Sequence, residues 1–213
     1  MLIKSIVKYK GSTYEVSFLD YDGIYLNSET ILQFGLTSNM DISLERLNQV
    51  VYADTLRKAR ERALYLLDYK DYSYIQLYEK LEVTYPQDIC LDVLSKLVEL
   101  GIINDNRYAK NLAERLILVK KYGSYRAIRE LTLKGIDKDL AEEVVSYYDD
   151  TQLERLEDLI NSKYSRYLVD DKGLNKVKNA LVRLGYSYDL INQVLDWWGE
   201  PIEIHQRNIC KVW

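Results

Sequence analysis

The stretch of sequence that decides the fold lies at residues 123–135 and reads GSYRAIRELTLKG. Similar stretches stand 50 residues before and after it, at 73–85 and 173–185. Each opens on serine or glycine, and two of the three close on glycine, a residue that commonly ends helices. Turn, core and terminating residues recur in the same order, so the sequence predicts a tandem repeat. The matching apolar positions are Leu81, Leu131 and Leu181, and one helical turn earlier Leu77, Ala127 and Val177.

Each repeat is predicted to contain three helices, because apolar residues recur at helical spacing between turn residues. Ser73 and Gln76 form the pattern of a capping box in the first repeat, and Thr151 with Glu154 has that pattern at the start of the third. The second helix of the third repeat is predicted to run over 174–184. Stacked units of this kind bury their apolar faces mainly against their neighbours. We therefore expect a mainly α fold in which three tandem three-helix repeats form an elongated, curved array.

The amino-terminal segment has the period of a strand instead. Apolar residues alternate with polar ones over 14–18, and glycine-containing turns at 10–12 and 20–23 separate three short strands. Ser28 is expected to cap a short helix after the third strand. The expected division is a small β-containing module at 1–52, three-helix repeats at 53–103, 104–149 and 150–199, and a tail at 200–213, which has no readable structural signal.

The composition is that of an ordinary soluble globular protein, with 47% hydrophobic and 29% charged residues. Two prolines and nine glycines leave room for long helices. The amino terminus alternates charge and hydrophobicity too finely for a signal peptide, and no later stretch reaches membrane-spanning length. We expect a cytoplasmic protein that does not associate with membranes.

Residues able to form a catalytic or metal site are scarce. His205 is the single histidine, and Cys90 and Cys210 are the only cysteines. Cys90 falls in an amphipathic helical pattern, where a reduced and buried thiol is expected. The sequence contains no glycine-rich phosphate loop and no Ser/His/Asp or Cys/His combination. We expect neither a cofactor nor a metal ion, and we do not expect an enzyme.

Charge is distributed unevenly along the chain. The segment 104–135 has eight basic residues against three acidic ones, whereas 136–160 has nine acidic against two basic. Such runs are commonly solvated helix faces. The basic run also predicts a docking surface for an acidic partner, in which Arg126 and Arg129 share a helix face and Arg115 joins them. The candidate residues are Arg107, Lys110, Arg115, Lys120, Lys121, Arg126, Arg129 and Lys134.

The chain contains twenty tyrosines, an unusual number. Tyrosines beside arginines can stack on unpaired bases. Tyr65, Tyr74 and Tyr78 lie in or beside apolar stripes, and for these we expect packing in the core or at its edge. The pair at 197–198, two tryptophans, is expected to cover the open end of the last repeat.

Several segments resemble RecX regulatory proteins. The central repeat is similar at 102–109 (IINDNRYA), 123–131 (GSYRAIREL) and 134–136 (KGI). The first repeat is similar at 59–67 (ARERALYLL), and the third at 184–191 (LGYSYDLI). The resemblance spans about 55–198, and the amino-terminal module looks like the extension of the Gram-positive branch.

This resemblance implies a modulator that lodges in the groove of the RecA filament and restrains strand exchange, ATP hydrolysis and SOS coprotease activity. Single- or double-stranded DNA within the filament is a further possible contact, and a monomer is expected. The sequence departs from the family at 68–73, which is acidic and aromatic where the family has a basic residue, so contacts of that loop do not carry over.

Two other functions fit the same helices. Three-helix units resemble helix-turn-helix domains, and Arg126 with Arg129 could lie on a recognition helix, which would make the protein a nucleic-acid-binding module. A generic helical adaptor for another protein is the second. The net charge of −4 does not favour a protein that coats duplex DNA, because such binding depends on neutralising phosphates.

Overall fold

The computed structural model describes residues 1–199, with side chains through residue 196. Within this range the chain forms a three-stranded sheet followed by ten α-helices, which confirms the mainly α class. It divides into two compact units, one at Met1–Asn104 and one from Asp105 onward. No helix in the described range is long and apolar enough to span a membrane. The predicted curved shape and the predicted domain boundaries stay predictions.

The sheet is antiparallel and has the order β1 (Ile3–Lys10), β2 (Thr13–Phe18), β3 (Ile24–Asn27). Val16 on the middle strand pairs with Ile6 on one side and Ile24 on the other, so the three apolar side chains share the inner face. This face builds a small core with residues of the first two helices. The predicted three strands are therefore confirmed.

A buried carboxylate ties the sheet to the helices. Asp54 accepts hydrogen bonds from the Asn27 backbone N–H at 2.9 Å and the Thr30 hydroxyl at 2.8 Å, and the ammonium of Lys58 lies 2.7 Å away. Burial by itself raises the pKa of Asp54, but the bonds from Lys58, Asn27 and Thr30 outweigh it and hold that pKa below its ordinary value.

The cap of the first helix differs from the prediction by one residue. The sequence predicts Ser28 as the cap, but the side chain of Asn27 accepts the hydrogen bond from the Glu29 N–H instead.

The helices follow the predicted grouping in threes. The first repeat uses α2 (Leu44–Tyr69), which begins in the amino-terminal segment after α1 (Ser28–Phe34), with α3 (Tyr74–Leu81) and α4 (Gln87–Glu99). The second uses α5 (Asp105–Glu114), α6 (Ser124–Thr132) and α7 (Lys138–Ser146). The third uses α8 (Gln152–Leu159), α9 (Asp171–Arg183) and α10 (Tyr188–Gly199). Both α5 and α8 continue into a π-helical turn, at Arg115–Val119 and Ile160–Tyr164.

The repeat positions read from the sequence are core positions. Leu81, Leu131 and Leu181 are each 0% exposed, and the apolar residues one turn earlier are also buried. Each three-helix group has its own cluster of buried side chains, separate from the cluster beneath the sheet. The alignment at a spacing of 50 is therefore confirmed for the core.

The two predicted capping boxes have opposite outcomes. Ser73 and Gln76 make both reciprocal bonds. Thr151 makes no capping bond to a backbone N–H, because its hydroxyl donates to the Tyr148 carbonyl at 3.2 Å and accepts from Arg155 Nη1 at 2.7 Å. The capping box with Glu154 is therefore wrong: a buried arginine takes the hydroxyl.

Three further expectations are settled by burial and by helix ends. Cys90 is buried as expected, and burial raises the pKa of its thiol. Tyr74 and Tyr78 pack against the first core, but Tyr65 is 68% exposed, so its predicted packing is wrong. The helix predicted over 174–184 begins earlier, at Asp171. The side chains at 197–198, the tail and the residues His205 and Cys210 lie outside the described residues.

Candidate partner-binding surface

The basic residues of the second repeat lie along three consecutive elements. Arg107 and Lys110 stand on α5, Arg115 opens the π-helical turn, and Arg129 lies on α6. Lys120 and Lys121 occupy the loop before α6, and Lys134 follows it. Seven of the eight are exposed, and Arg126 is half-buried. We call the exposed seven the basic surface: Arg107, Lys110, Arg115, Lys120, Lys121, Arg129 and Lys134.

Two of the predicted residues meet on one aromatic ring. The guanidinium carbon of Arg126 lies 4.0 Å from the centre of the Tyr122 ring, and the Lys120 ammonium lies 5.7 Å from it. Both distances fall in the range of cation–π attraction. The ring therefore places two positive charges beside each other at the start of α6. The other predicted residues are spread along α5, α6 and their flanking turns.

Arg126 has a structural role that Arg129 does not share. Its Nη1 donates to the Arg183 carbonyl at 3.0 Å, and its Nε lies 3.8 Å from a carboxylate oxygen of Glu130. Arg129, three residues later, is exposed to solvent. The sequence predicts two equivalent surface charges. In the structure Arg126 binds the third repeat, and only Arg129 is exposed.

The start of α6 is docked on the glycine turn of the third repeat. The Gly123 N–H donates to the Leu184 carbonyl at 2.8 Å, and the Tyr125 N–H donates to the Gly185 carbonyl at 3.2 Å. A Cβ on Gly123 would lie 2.4 Å from that Gly185 oxygen, closer than any side chain tolerates. Glycine is therefore required at 123 because two backbones touch there.

The loop that carries Lys120 and Lys121 is fixed by a buried tyrosine. The Tyr186 hydroxyl donates to the Lys121 carbonyl at 3.1 Å, and Tyr186 itself is buried, which raises the pKa of its hydroxyl. Lys121 has φ of 58°, a left-handed conformation that costs energy for a residue with a side chain. The loop thus presents its two lysines in one backbone conformation, which the third repeat stabilises.

Arg155 is a buried cation that the sequence did not single out. It lies on α8, almost wholly buried, with Tyr148 beside it at 5.9 Å from ring centre to guanidinium carbon. Burial lowers its pKa, and its Nε makes no hydrogen bond. The sequence did contain a signal for this burial, because Arg155 stands four residues before the buried Leu159 and so shares its inward face.

Among residues 1–199 no group of three or more His, Cys, Asp or Glu side chains could hold a metal ion.

Two family models match this part of the chain. The model described as "RecX, second three-helix domain" matches residues 104–145, and the model described as "RecX, third three-helix domain" matches 150–195. Regulatory protein RecX of Clostridioides difficile (strain 630) is 29% identical over 176 residues, which cover 81% of this chain and 83% of the relative.

Solved structures show the same similarity. The crystal structure of RecX from Lactobacillus salivarius has a TM-score of 0.64 at 28% identity, over 69% of this chain and 98% of that one. A second crystal structure of a regulatory protein RecX has a TM-score of 0.70 over 92% of this chain and 98% of the other. At 22% identity the second match supports the fold alone.

Proposed function

The chain belongs to the RecX family of regulatory proteins, and on that premise we propose that it binds the RecA nucleoprotein filament and restrains the recombinase, ATPase and coprotease activities of RecA. We expect a cytoplasmic monomer that acts by binding and not by catalysis. The basic surface of the second repeat is the proposed contact with RecA or with the DNA in the filament.

The observation that carries this proposal is the exposure of the basic surface on a firmly held loop and two helices. Exposed charges that face a partner of opposite charge raise the rate of encounter and fix its orientation. Lys120 is placed by the Tyr122 ring, and the Lys121 backbone is held by Tyr186. Arg126 contributes by holding this loop against the third repeat, so we assign it a positioning role.

The start of α6 argues against the helix-turn-helix alternative. Recognition helices of that class present their amino-terminal residues to base edges in the major groove. Here the N–H of Tyr125 is bonded to Gly185, and the Arg126 side chain is bonded to the Arg183 carbonyl. Of the two arginines that would enter the groove, Arg126 is therefore engaged with the third repeat, whereas Arg129 is exposed.

Co-sedimentation with RecA assembled on single-stranded DNA tests the proposal. The full chain should pellet with the filaments and should slow DNA-dependent ATP hydrolysis when added below the RecA concentration. Inhibition at that ratio indicates blocked filament growth, whereas groove coating needs near-stoichiometric amounts. A chain that neither pellets with filaments nor alters their ATPase at equimolar concentration would rule the proposal out.

A charge-reversal pair tests the basic surface itself. Lys110→Glu with Arg129→Glu should weaken filament binding by about tenfold or more, which corresponds to about 1.4 kcal/mol. The matched control is Lys172→Glu with Lys176→Glu, two exposed lysines on α9 in the third repeat. If both pairs of substitutions weaken filament binding equally, the effect depends only on net charge, and the basic surface is not the contact.

A further inference from the structure

Two tyrosines on the outer face of the amino-terminal sheet form an exposed aromatic pair. Tyr9 on β1 and Tyr25 on β3 belong to the two edge strands, and their ring centres lie 4.9 Å apart above the middle strand, with the planes inclined by 57°. Tyr9 remains 65% exposed and Tyr25 47% exposed. Val7, at 57% exposure, extends the surface along the row Val7, Glu15, Tyr25.

This face is distinct from the one that builds the core. Val16 and Leu26 point to the opposite side of the sheet and are buried there. Aromatic side chains normally bury much of their rings. Two tyrosines that contact each other while both remain in solvent leave their outer ring surfaces available to a planar ligand.

One lysine lies beside the pair. Lys10 is exposed and pairs with Thr13, which lies two residues before Glu15 and therefore on the same face of the sheet as the tyrosines. The Lys58 ammonium lies 3.3 Å from the Tyr25 carbonyl oxygen, but its charge is already paired with Asp54 at 2.7 Å. Glu15 lies in the same row of the sheet, but its carboxylate turns towards the next hairpin, with Oε1 3.4 Å from the position that a Cβ of Gly23 would occupy. Lys10 and the two rings therefore share this face of the sheet.

We propose that this face binds single-stranded nucleic acid, with bases stacked on Tyr9 and Tyr25 and a phosphate contacted by Lys10. Every base has a π face, so an aromatic pair with a nearby cation binds unpaired strands with little regard to sequence. The site lies on the amino-terminal sheet, remote in sequence from the basic surface of the second repeat. It does not depend on filament binding.

Fluorescence anisotropy with labelled oligothymidylate, in the absence of RecA, measures this binding on the full chain. Tyr9→Ala and Tyr25→Ala should each weaken binding by about five- to a hundredfold, the range of one lost stacking contact. Tyr9→Phe should retain binding, because the ring is kept. The matched control is Tyr21→Ala, since Tyr21 is 62% exposed on the same module but is flanked by Asp20 and Asp22. Equal losses in Tyr21→Ala and Tyr9→Ala would overturn the site.

An abasic oligonucleotide separates stacking from charge. The wild-type chain should bind the abasic strand about as weakly as Tyr9→Ala binds oligothymidylate, and Lys10→Gln should reduce the salt dependence of binding by about 0.7. Oligouridylate in a parallel arm distinguishes RNA from DNA as the natural strand. Equal affinity of the wild-type chain for abasic and normal strands would exclude stacking and end the proposal.

Two controls distinguish strand binding at this site from filament binding and from self-association. Tyr9→Ala should still pellet with RecA filaments, and a chain that binds oligothymidylate but not filaments would keep this site while removing the filament proposal. Sedimentation velocity of the free protein tests whether the face joins two copies. If Tyr9→Ala changes the oligomeric state and leaves oligonucleotide binding unchanged, the face is a protein interface and the proposal fails.

Discussion

The second and third repeats have the same helices and the same core positions but differ in the four residues at the start of their second helix. This turn reads Lys120-Lys121-Tyr122-Gly123 in one and Asp170-Asp171-Lys172-Gly173 in the other. In the second repeat the Gly123 N–H is satisfied by the Leu184 carbonyl of the third. In the third repeat the Gly173 N–H is satisfied by the Asp170 carboxylate of the same turn, at 2.6 Å.

This difference lies in which group accepts the backbone N–H at each helix start. A helix start leaves backbone N–H groups without partners, and either a neighbour or a side chain must accept them. In the second repeat the acceptor is a carbonyl of the third repeat, and the turn has lysines where the third repeat has aspartates. The third repeat caps itself, and a Cβ on Gly173 would lie 1.8 Å from the carbonyl oxygen of Tyr167, because the 3₁₀ turn Ser165–Tyr167 of the same repeat fills that place.

The largest expected effect tests what the two repeats share. Leu131→Ala and Leu181→Ala should each lower the free energy of unfolding by about 2–5 kcal/mol, because each removes a fully buried side chain and leaves a cavity. Urea denaturation measures both changes, and the exposed Leu32 offers Leu32→Ala as the control. If either variant unfolds with the same free energy as the wild-type chain, Leu131 and Leu181 are not equivalent core positions.

A smaller effect tests the docked turn. Gly123→Ala should cost about 1–3 kcal/mol, the usual range for overpacking, because the added methyl meets a backbone that cannot rotate away. Hydrogen exchange of the Tyr125 N–H, which is bonded to Gly185, should accelerate.

Gly173→Ala is the matched control for this exchange measurement. It adds the same methyl at the equivalent position of the third repeat, where the clash is with the carbonyl of Tyr167 and not with the Gly185 turn, so exchange at Tyr125 should accelerate less than in Gly123→Ala. Equal acceleration at Tyr125 in both variants would show that the docked turn and the self-capped turn are not independent.

The self-capped turn should respond to loss of its carboxylate. Asp170→Ala should lower the free energy of unfolding by about 1 kcal/mol, the usual cost of removing an N-cap side chain. Asp170→Asn should retain most of that stability, since its side chain also accepts from the Gly173 N–H. Asp171→Ala, one residue later, is the control, and an equal loss there would contradict the capping role.

The smallest effect on stability should accompany a loss of function. Exchanging Lys120 and Lys121 for aspartate gives the second repeat the two acidic residues that stand at 170–171 in the third, and surface changes of this kind shift stability by about 0.5 kcal/mol or less. Filament co-sedimentation should nevertheless fall, while Lys172→Asp in the third repeat should leave it unchanged. Retained binding by the aspartate variant would show that the lysines of this turn are solvated charges only.

Local patterns in the sequence predicted the elements and their cores. The leucines at a spacing of 50, the strand period at 14–18 and the Ser73 capping box all depend on residues close together in the chain, and all are confirmed. The Thr151 capping box follows the same local rule and is wrong, because Arg155 competes for the hydroxyl. The prediction for Tyr65 is wrong for a related reason. The spacing of apolar residues along one helix does not tell whether another element packs against them, and Tyr65 is exposed.

The sequence by itself determined that the chain is a three-helix repeat protein, where its cores lie and that its second repeat is basic. Only the tertiary structure decided which of those charges is available to a partner. Arg126 and Arg129 are the same residue type on the same helix, but the carbonyl that holds Arg126 belongs to Arg183, 57 residues away. Helical periodicity describes which residues share a face within one helix. A hydrogen bond between residues so far apart in the sequence forms only when two repeats pack against each other.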